Sequence, residues 1–315
     1  MGISILGMVV VWGVVQWLSQ SGVLNLFITQ TLVIMGINVI LAVSLNLITG
    51  VTGQLVLGHA AFMGLGCYFA AILTYKMGLP FPVGLIGGGL VAGLGGLVIG
   101  LPTLRLRGDY LAIATLGFGE ILRIVYQNWD YVGGAVGMSP PQLANWTWVF
   151  WLAVLSVLII WHLVDSSHGR ALQAIRENEI AAEAVGVATT RHKVTAFIIG
   201  AFFAGIAGGL YGFYNYAFQP SSFDFLHSFN ILVLVVLGGL GSITGSIVGA
   251  VVVTALQAAL QSYPYIQNVI FALLLILMML FRRQGLLGRY EFHLSMIFPG
   301  LRREEKGGHS DGARS

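Results

Sequence analysis

Residues 26–48 read LFITQTLVIMGINVILAVSLNLI. The run holds no Lys, Arg, Asp or Glu, and it exceeds the roughly 20 apolar residues that one helical crossing of a bilayer needs. The pattern extends outward on both sides. No charged side chain occurs between Met1 and Tyr75, a stretch with room for three crossings. Over the 315 residues, 57% are hydrophobic and only 9% are charged, whereas a soluble domain is about a quarter charged. So few charges cannot coat a water-facing surface, so most of the exterior faces lipid. The apolar runs are long and continuous, which excludes the short alternating segments of a membrane β-barrel. The 43 glycines fit the close backbone approaches of packed membrane helices. The fold class expected is an all-α membrane bundle.

Ten hydrophobic segments stand out. They are residues 3–19, 26–48, 55–75, 81–101, 110–127, 146–164, 194–216, 229–240, 244–261 and 266–281. The two that flank Gly241 read either as separate spans or as one long broken span. The first run lacks a basic leader and a small-x-small cleavage site, so it is expected to be a retained helix rather than a signal peptide. Basic residues set the orientation. Arg170, Arg176, Arg191 and Lys193 share one loop, and Arg282, Arg283, Arg289, Arg302, Arg303 and Lys306 follow the last segment. Placing both regions in the cytoplasm requires ten crossings with both termini inside. Arg105 and Arg107 then also fall inside, and Lys76 is a lone exception outside. The expected division is a membrane domain over 1–290 and a polar, disordered cytoplasmic tail over 291–315.

The net charge of +3 comes from short loops and the tail, as the positive-inside bias requires, and does not indicate a nucleic-acid surface. Cys67 is the only cysteine, which excludes an internal disulfide and argues against a thiolate metal site. No Ser/His/Asp or Cys/His grouping stands out. None of Lys76, Lys193 and Lys306 ends a G-x-x-x-x-G-K-[ST] loop, so energy for any transport comes from a partner or an ion gradient. No cofactor is expected on this chain.

The longest polar interruption, about 165–193, is rich in helix formers. Asn178 suits the cap of a second short helix and Gly186 its stop. Leu172, Ile175, Ile180 and Val185 give partial helical apolar spacing. Such an insert is either a docking element for a cytoplasmic partner or a surface helix lying on its own bundle. The segments between Tyr131 and Asn145 and between Phe218 and Ser228 are either outer docking surfaces or plain connectors. Val51-Thr52-Gly53 and Ile243-Thr244-Gly245 repeat one small pattern between apolar runs.

Within the spans, Glu120 and Arg123 sit three apart on one helix face. They read as a structural ion pair or as a polar gate. Asp109 suits a helix first turn. His59 reads as a packing histidine before it reads as a pathway ligand, and His162 and His227 lie near opposite membrane surfaces with no special role. The glycine sets at 84, 88, 89, 93 and 96 and at 205, 208, 209 and 212 read as helix-packing faces. Gly238, Gly239 and Gly241 interrupt an apolar run and read as a hinge or part of a translocation path.

Five stretches carry a resemblance. They are GHAAF at 58–62, LRLRGDYLAIATLGFGEILR at 104–123, ALQAIRENEIAAEAVG at 171–186, VLGGLGSITG at 236–245 and FRRQGL at 281–286. In this order they resemble the branched-chain amino-acid permeases of ABC importers, the LivM type, across roughly residues 30–290. Two departures are Arg283, where that family usually has Pro, and VGGAVG at 132–137, a loose match to Thr-Gly-Gly-x-x-Gly. The resemblance implies a type II-like importer fold in the inner or plasma membrane. It implies a related second permease, two cytoplasmic ATPase subunits that bind ATP, and an extracytoplasmic substrate-binding protein. It assigns the insert as the ATPase coupling loop, with Arg170, Arg176, Glu177, Glu183, Ala184 and Gly186 at the interface, where Arg170 and Arg176 would pair with acidic groups of the ATPase. The cargo implied is a branched-chain or related apolar amino acid, moved by alternating access. A urea or amide permease of the same family and an ion-coupled secondary transporter are the alternatives.

Overall fold

The computed structural model describes residues 12–18, 21, 25–103, 109–261 and 263, with positions 269, 270, 273, 276 and 280 beyond them. Expectations for Arg105, Arg107, the basic residues after the last segment and the tail lie outside the described residues, as do parts of the first and last segments. Helix α1 spans Leu26–Asn46 and continues through a π turn, Leu47–Val51. α2 spans His59–Ala71 and ends in a π turn, Ile72–Lys76. α3 spans Phe81–Thr103, α4 Asp109–Gln127 and α5 Trp146–Asp165. Two short helices follow, α6 (Ser167–Glu177) and α7 (Glu179–Ala184). α8 spans Thr189–Tyr214, α9 Phe225–Gly238 and α10 Ile243–Ala259. Among the described residues the only extended pairing is one bridge, Met138 with Phe218.

The helices start where side chains can satisfy exposed backbone amides. Asn145 accepts from Trp148 N, Ser166 from Gly169 N and Asp224 from His227 N. Five described helices are long and apolar enough to cross a membrane. The 26 residues of Leu26–Val51 extend about 39 Å at 1.5 Å per residue, beyond the ~30 Å hydrocarbon core. The chain is therefore a multi-pass helical membrane protein.

α8 forms the spine, with α2 and α3 packed against it. The glycine sets do the packing expected of them. A Cβ at Gly205 would stand 2.5 Å from the Ala92 Cβ, and one at Gly96 would stand 2.7 Å from the Ala201 Cβ. Without those methyl groups the backbones approach to contact distance, and dispersion replaces the hydrophobic drive that lipid cannot supply.

The segments that flank Gly241 are two helices, not one broken span. α9 and α10 lie side by side and antiparallel, with Gly238 against Gly245 and Leu234 against Gly249. The bend at 239–242 needs Gly239 at φ +124° and Gly241 at φ +91°, which side-chain-bearing residues rarely adopt. The connector between α1 and α2 turns back into the bundle. Thr52, Gln54 and Val56 are buried there. Amides at its end and in the first turn of α2 find hydroxyls, with Leu57 N donating to Thr115 Oγ1 at 3.2 Å and Ala60 N to Ser228 Oγ at 3.0 Å. Irregular backbone at membrane depth is tolerated when protein covers it in this way.

At the opposite end, the two candidate outer loops are one unit. Met138 and Phe218 exchange backbone hydrogen bonds of 3.1 Å each. Lys76, the lone exception to the basic-loop pattern, places its Nζ 4.7 Å above the Tyr131 ring of that unit.

Candidate functional site

The polar insert folds as its residue pattern predicts. Asn178 Oδ1 accepts from Ala181 N at 3.1 Å, capping α7. Gly186 follows the helix at φ +88°. α7 is pinned to the base of α8 by Lys193, whose Nζ lies 2.5 Å from Glu179 Oε1. The four apolar residues of the insert divide. Leu172 and Ile175 are buried against the bundle, whereas Ile180 is 66% exposed and Val185 80% exposed. Glu183, Ala184 and Gly186 are exposed beside them. Beside this end of α7, a cleft of about 550 Å3 is lined by Glu183, Arg191 and Leu101.

Arg176 also makes a contact within the chain that the sequence did not indicate: its Nη1 donates to the Gly50 carbonyl oxygen of the π turn at 2.5 Å. A charged donor to a carbonyl is among the stronger hydrogen bonds. The stem of Arg176 runs along Gly53, whose added Cβ would stand 3.4 Å from the Arg176 Cα. The same guanidinium packs on Gly241, where a Cβ would collide with Nη1. Arg170 sits at the start of α6, exposed, with Nη1 on the Asp165 carbonyl oxygen at 3.3 Å. Glu177 ends α6 and is exposed.

Asn46 completes the cluster. It is fully buried; its Oδ1 accepts from Gly241 N at 2.8 Å and its Nδ2 donates to the Ser242 carbonyl oxygen at 3.1 Å. The Ser242 hydroxyl in turn caps α10 through Gly245 N at 3.0 Å. One amide side chain thus ties the broken end of α1 to the bend between α9 and α10, and Arg176 ties α6 to both. Of the sequence candidates, Arg176 and Gly241 are brought together here, with Gly238 and Gly239 on the same bend. Asn46 and Gly50 were not among them. Asn46 was visible only as one of three amides, with Gln30 and Asn38, inside an apolar run. The repeated Val-Thr-Gly and Ile-Thr-Gly patterns mark the two interruptions that meet.

His59 lies apart from this cluster. It is fully buried, with Nε2 3.0 Å from Ser44 Oγ, and its Nδ1 has no hydrogen-bond partner among the described residues. Glu120 and Arg123 pair with each other at 2.8 Å on the flank of α4, with side chains 34% and 28% exposed. A charge unpaired at membrane depth costs at least about 2.5 kcal/mol. Glu120→Ala should therefore lower the thermal stability of the purified protein, and the charge-swapped double variant E120R/R123E should recover most of the loss. If the swap were as unstable as the single variant, neighbouring groups rather than the pair itself would set the energetics.

The family profile described as branched-chain amino acid transport system / permease component matches residues 27–281. The high-affinity branched-chain amino acid transport permease LivM of Salmonella typhimurium is 38% identical over 287 residues, covering 80% of this chain and 68% of that one. LivH of the same organism is 27% identical over 285 residues, covering 80% and 91%. The guanosine ABC transporter permease NupP of Bacillus subtilis is 25% identical over 211 residues, covering 60% and 59%. No solved structure matches the chain. A profile match over most of the sequence, on a helical bundle whose insert grips two helix breaks, leads to one conclusion: the chain belongs to the family of permease components of branched-chain amino acid transport systems.

Proposed function

We infer that this chain is one of two related permeases in a binding-protein-dependent ABC importer of the inner or plasma membrane, and that its cargo is a branched-chain aliphatic amino acid. The observation that carries this reading is the Arg176 hydrogen bond to Gly50 at the end of a helix pair that presents apolar side chains outward. Ile180 and Val185 are the surface that an ATPase groove would cover. Movement of α6 and α7 is then delivered to the ends of α1 and α9. Arg170, Glu177, Glu183, Ala184 and Gly186 border that contact. In this reading the insert is cytoplasmic, both termini are inside, and the joined Met138–Phe218 unit faces the binding protein. ATP is bound and hydrolysed by the partner subunits, and this chain holds no cofactor. The similarity to both LivM and LivH supports a pair of related permeases.

The test is reconstitution of the chain with its sister permease, ATPases and binding protein in vesicles. ATP-dependent accumulation of leucine, isoleucine and valine is the expected result. Uptake that needs a proton gradient and no ATP, or that takes only urea or guanosine, would overturn the reading.

A further inference from the structure

The half of α1, α9 and α10 remote from the Arg176 cluster carries amides where a lipid-facing surface would carry aliphatic side chains. Gln30, Thr31 and Asn38 lie on α1, Asn230 on α9 and Gln257 on α10. Polar side chains at membrane depth face protein, a cavity or water. Here Asn38, Asn230 and Gln257 border a cavity of about 210 Å3. Its lining mixes the aliphatic side chains of Ile34, Ile37, Met63, Ile231 and Leu234 with the polar side chains of Asn38, Tyr211, His227, Asn230 and Gln257. Asn38 is held in place by its 2.9 Å bond to Thr254 Oγ1. His227 Nε2 is withdrawn from solvent and has no hydrogen-bond partner among the described residues; its ring centre is 6.3 Å from that of Tyr211. A buried nitrogen left unsatisfied costs about 1–3 kcal/mol, a cost that a ligand hydrogen bond would remove. A second cavity, also of about 210 Å3, shares Ile34 and Gln257 and continues past Gln30 and Thr31 to Gln261. It runs toward the end of the bundle at which the Met138–Phe218 unit lies.

We propose that this pair of cavities is the entry and transit site for the amino acid, with its alkyl chain against the aliphatic side chains and its zwitterionic head bonded to the amides, Tyr211 and His227. The proposal rests on the cargo assigned above. A zwitterion has no net charge, so paired dipoles suit it better than a counter-charge would, and the residues that line both cavities include no Asp, Glu, Lys or Arg.

The test uses the assembled importer and a single introduced thiol. Cys67 is the only native cysteine of the chain and is buried, so the thiol of Asn230→Cys is the one that a methanethiosulfonate reagent reaches on this subunit. Labelling is followed by mass on this chain, with and without leucine, alongside leucine uptake by the unmodified importer. Mass action predicts that leucine at ten times its dissociation constant slows labelling by about tenfold. A Met77→Cys variant, on the exposed turn after α2 and outside the Met138–Phe218 unit, should label at one rate throughout. Unchanged labelling of N230C in an importer that accumulates leucine would overturn the site and leave the cargo standing. Equal slowing at position 77 would also overturn it, because the protection would then be global. If the unmodified importer takes up no aliphatic amino acid, the cargo assignment fails first and the site fails with it. Should N230C not assemble, Gln257→Cys carries the same measurement.

Discussion

Arg176→Ala is expected to lower ATP-driven uptake by roughly ten- to a hundredfold while the ATPase subunits continue to hydrolyse ATP. Hydrogen bonds to charged groups contribute about 1.5–3 kcal/mol, and each 1.4 kcal/mol is a factor of about ten. The bond at stake is the one from the guanidinium to the Gly50 carbonyl oxygen. Its loss leaves α6 folded, because Leu172 and Ile175 remain buried beneath it, but removes its grip on the π turn. The distinguishing readout is the ratio of substrate moved to ATP consumed. A residue that merely stabilised the subunit would reduce both together, through the amount of intact complex. A residue that transmits movement reduces transport alone. Arg176→Lys should recover little, since an ammonium is a point charge and cannot span Gly50 and Gly241 as the planar guanidinium does.

Gly50→Ala is expected to be more severe, with loss of both assembly and uptake. A Cβ at position 50 would collide with Asn46 Oδ1 and with the Gly241 backbone nitrogen. Those two atoms are the acceptor and donor of the bond that closes the cluster. The methyl group cannot be accommodated by turning a side chain away, because one of the atoms it meets is backbone and the other is fully buried. Overpacking in a rigid core costs typically about 1–3 kcal/mol, and a broken buried amide pair adds about 1–3 kcal/mol more. Gly117→Ala is the control. Its Cβ meets nothing within 4 Å and it lies inside α4, so replacing Gly by the better helix former should raise stability by up to about 1 kcal/mol. Denaturation midpoints of the purified subunit and the yield of assembled complex would separate the two.

The helices were legible because each is a continuous apolar run, and lipid demands that every such run satisfy its own backbone hydrogen bonds. The insert was legible for a local reason. Asn178 and Gly186 act on residues within one turn of themselves, so their types at that spacing specify a cap and a stop. The site was less legible because its bonds are not local. Arg176 reaches Gly50 across 126 positions, and Asn46 reaches Gly241 across 195. Spacing along the chain says nothing about such pairs. The split of Leu172 and Ile175 from Ile180 and Val185 was likewise hidden. Apolar periodicity marks which residues avoid water but not whether the covering surface belongs to the same chain. His227 was passed over because a single histidine near a membrane surface has many ordinary uses. Only the cavity beside its unpartnered nitrogen distinguishes it.

The most direct measurement replaces the Arg176 strut with a covalent one that can be opened and closed. A Cβ built at Gly53 stands 3.4 Å from the Arg176 Cβ, close to the roughly 3.5–4.5 Å that disulfides span. In the double variant R176C/G53C the backbone strain at position 53 is present in both redox states and cancels. If α6 drives the helix breaks through this contact, the reduced form will hydrolyse ATP without accumulating leucine, and oxidation will restore most of the uptake. Reduced R176C/G53C that transports as well as the unaltered importer would contradict transmission through Arg176.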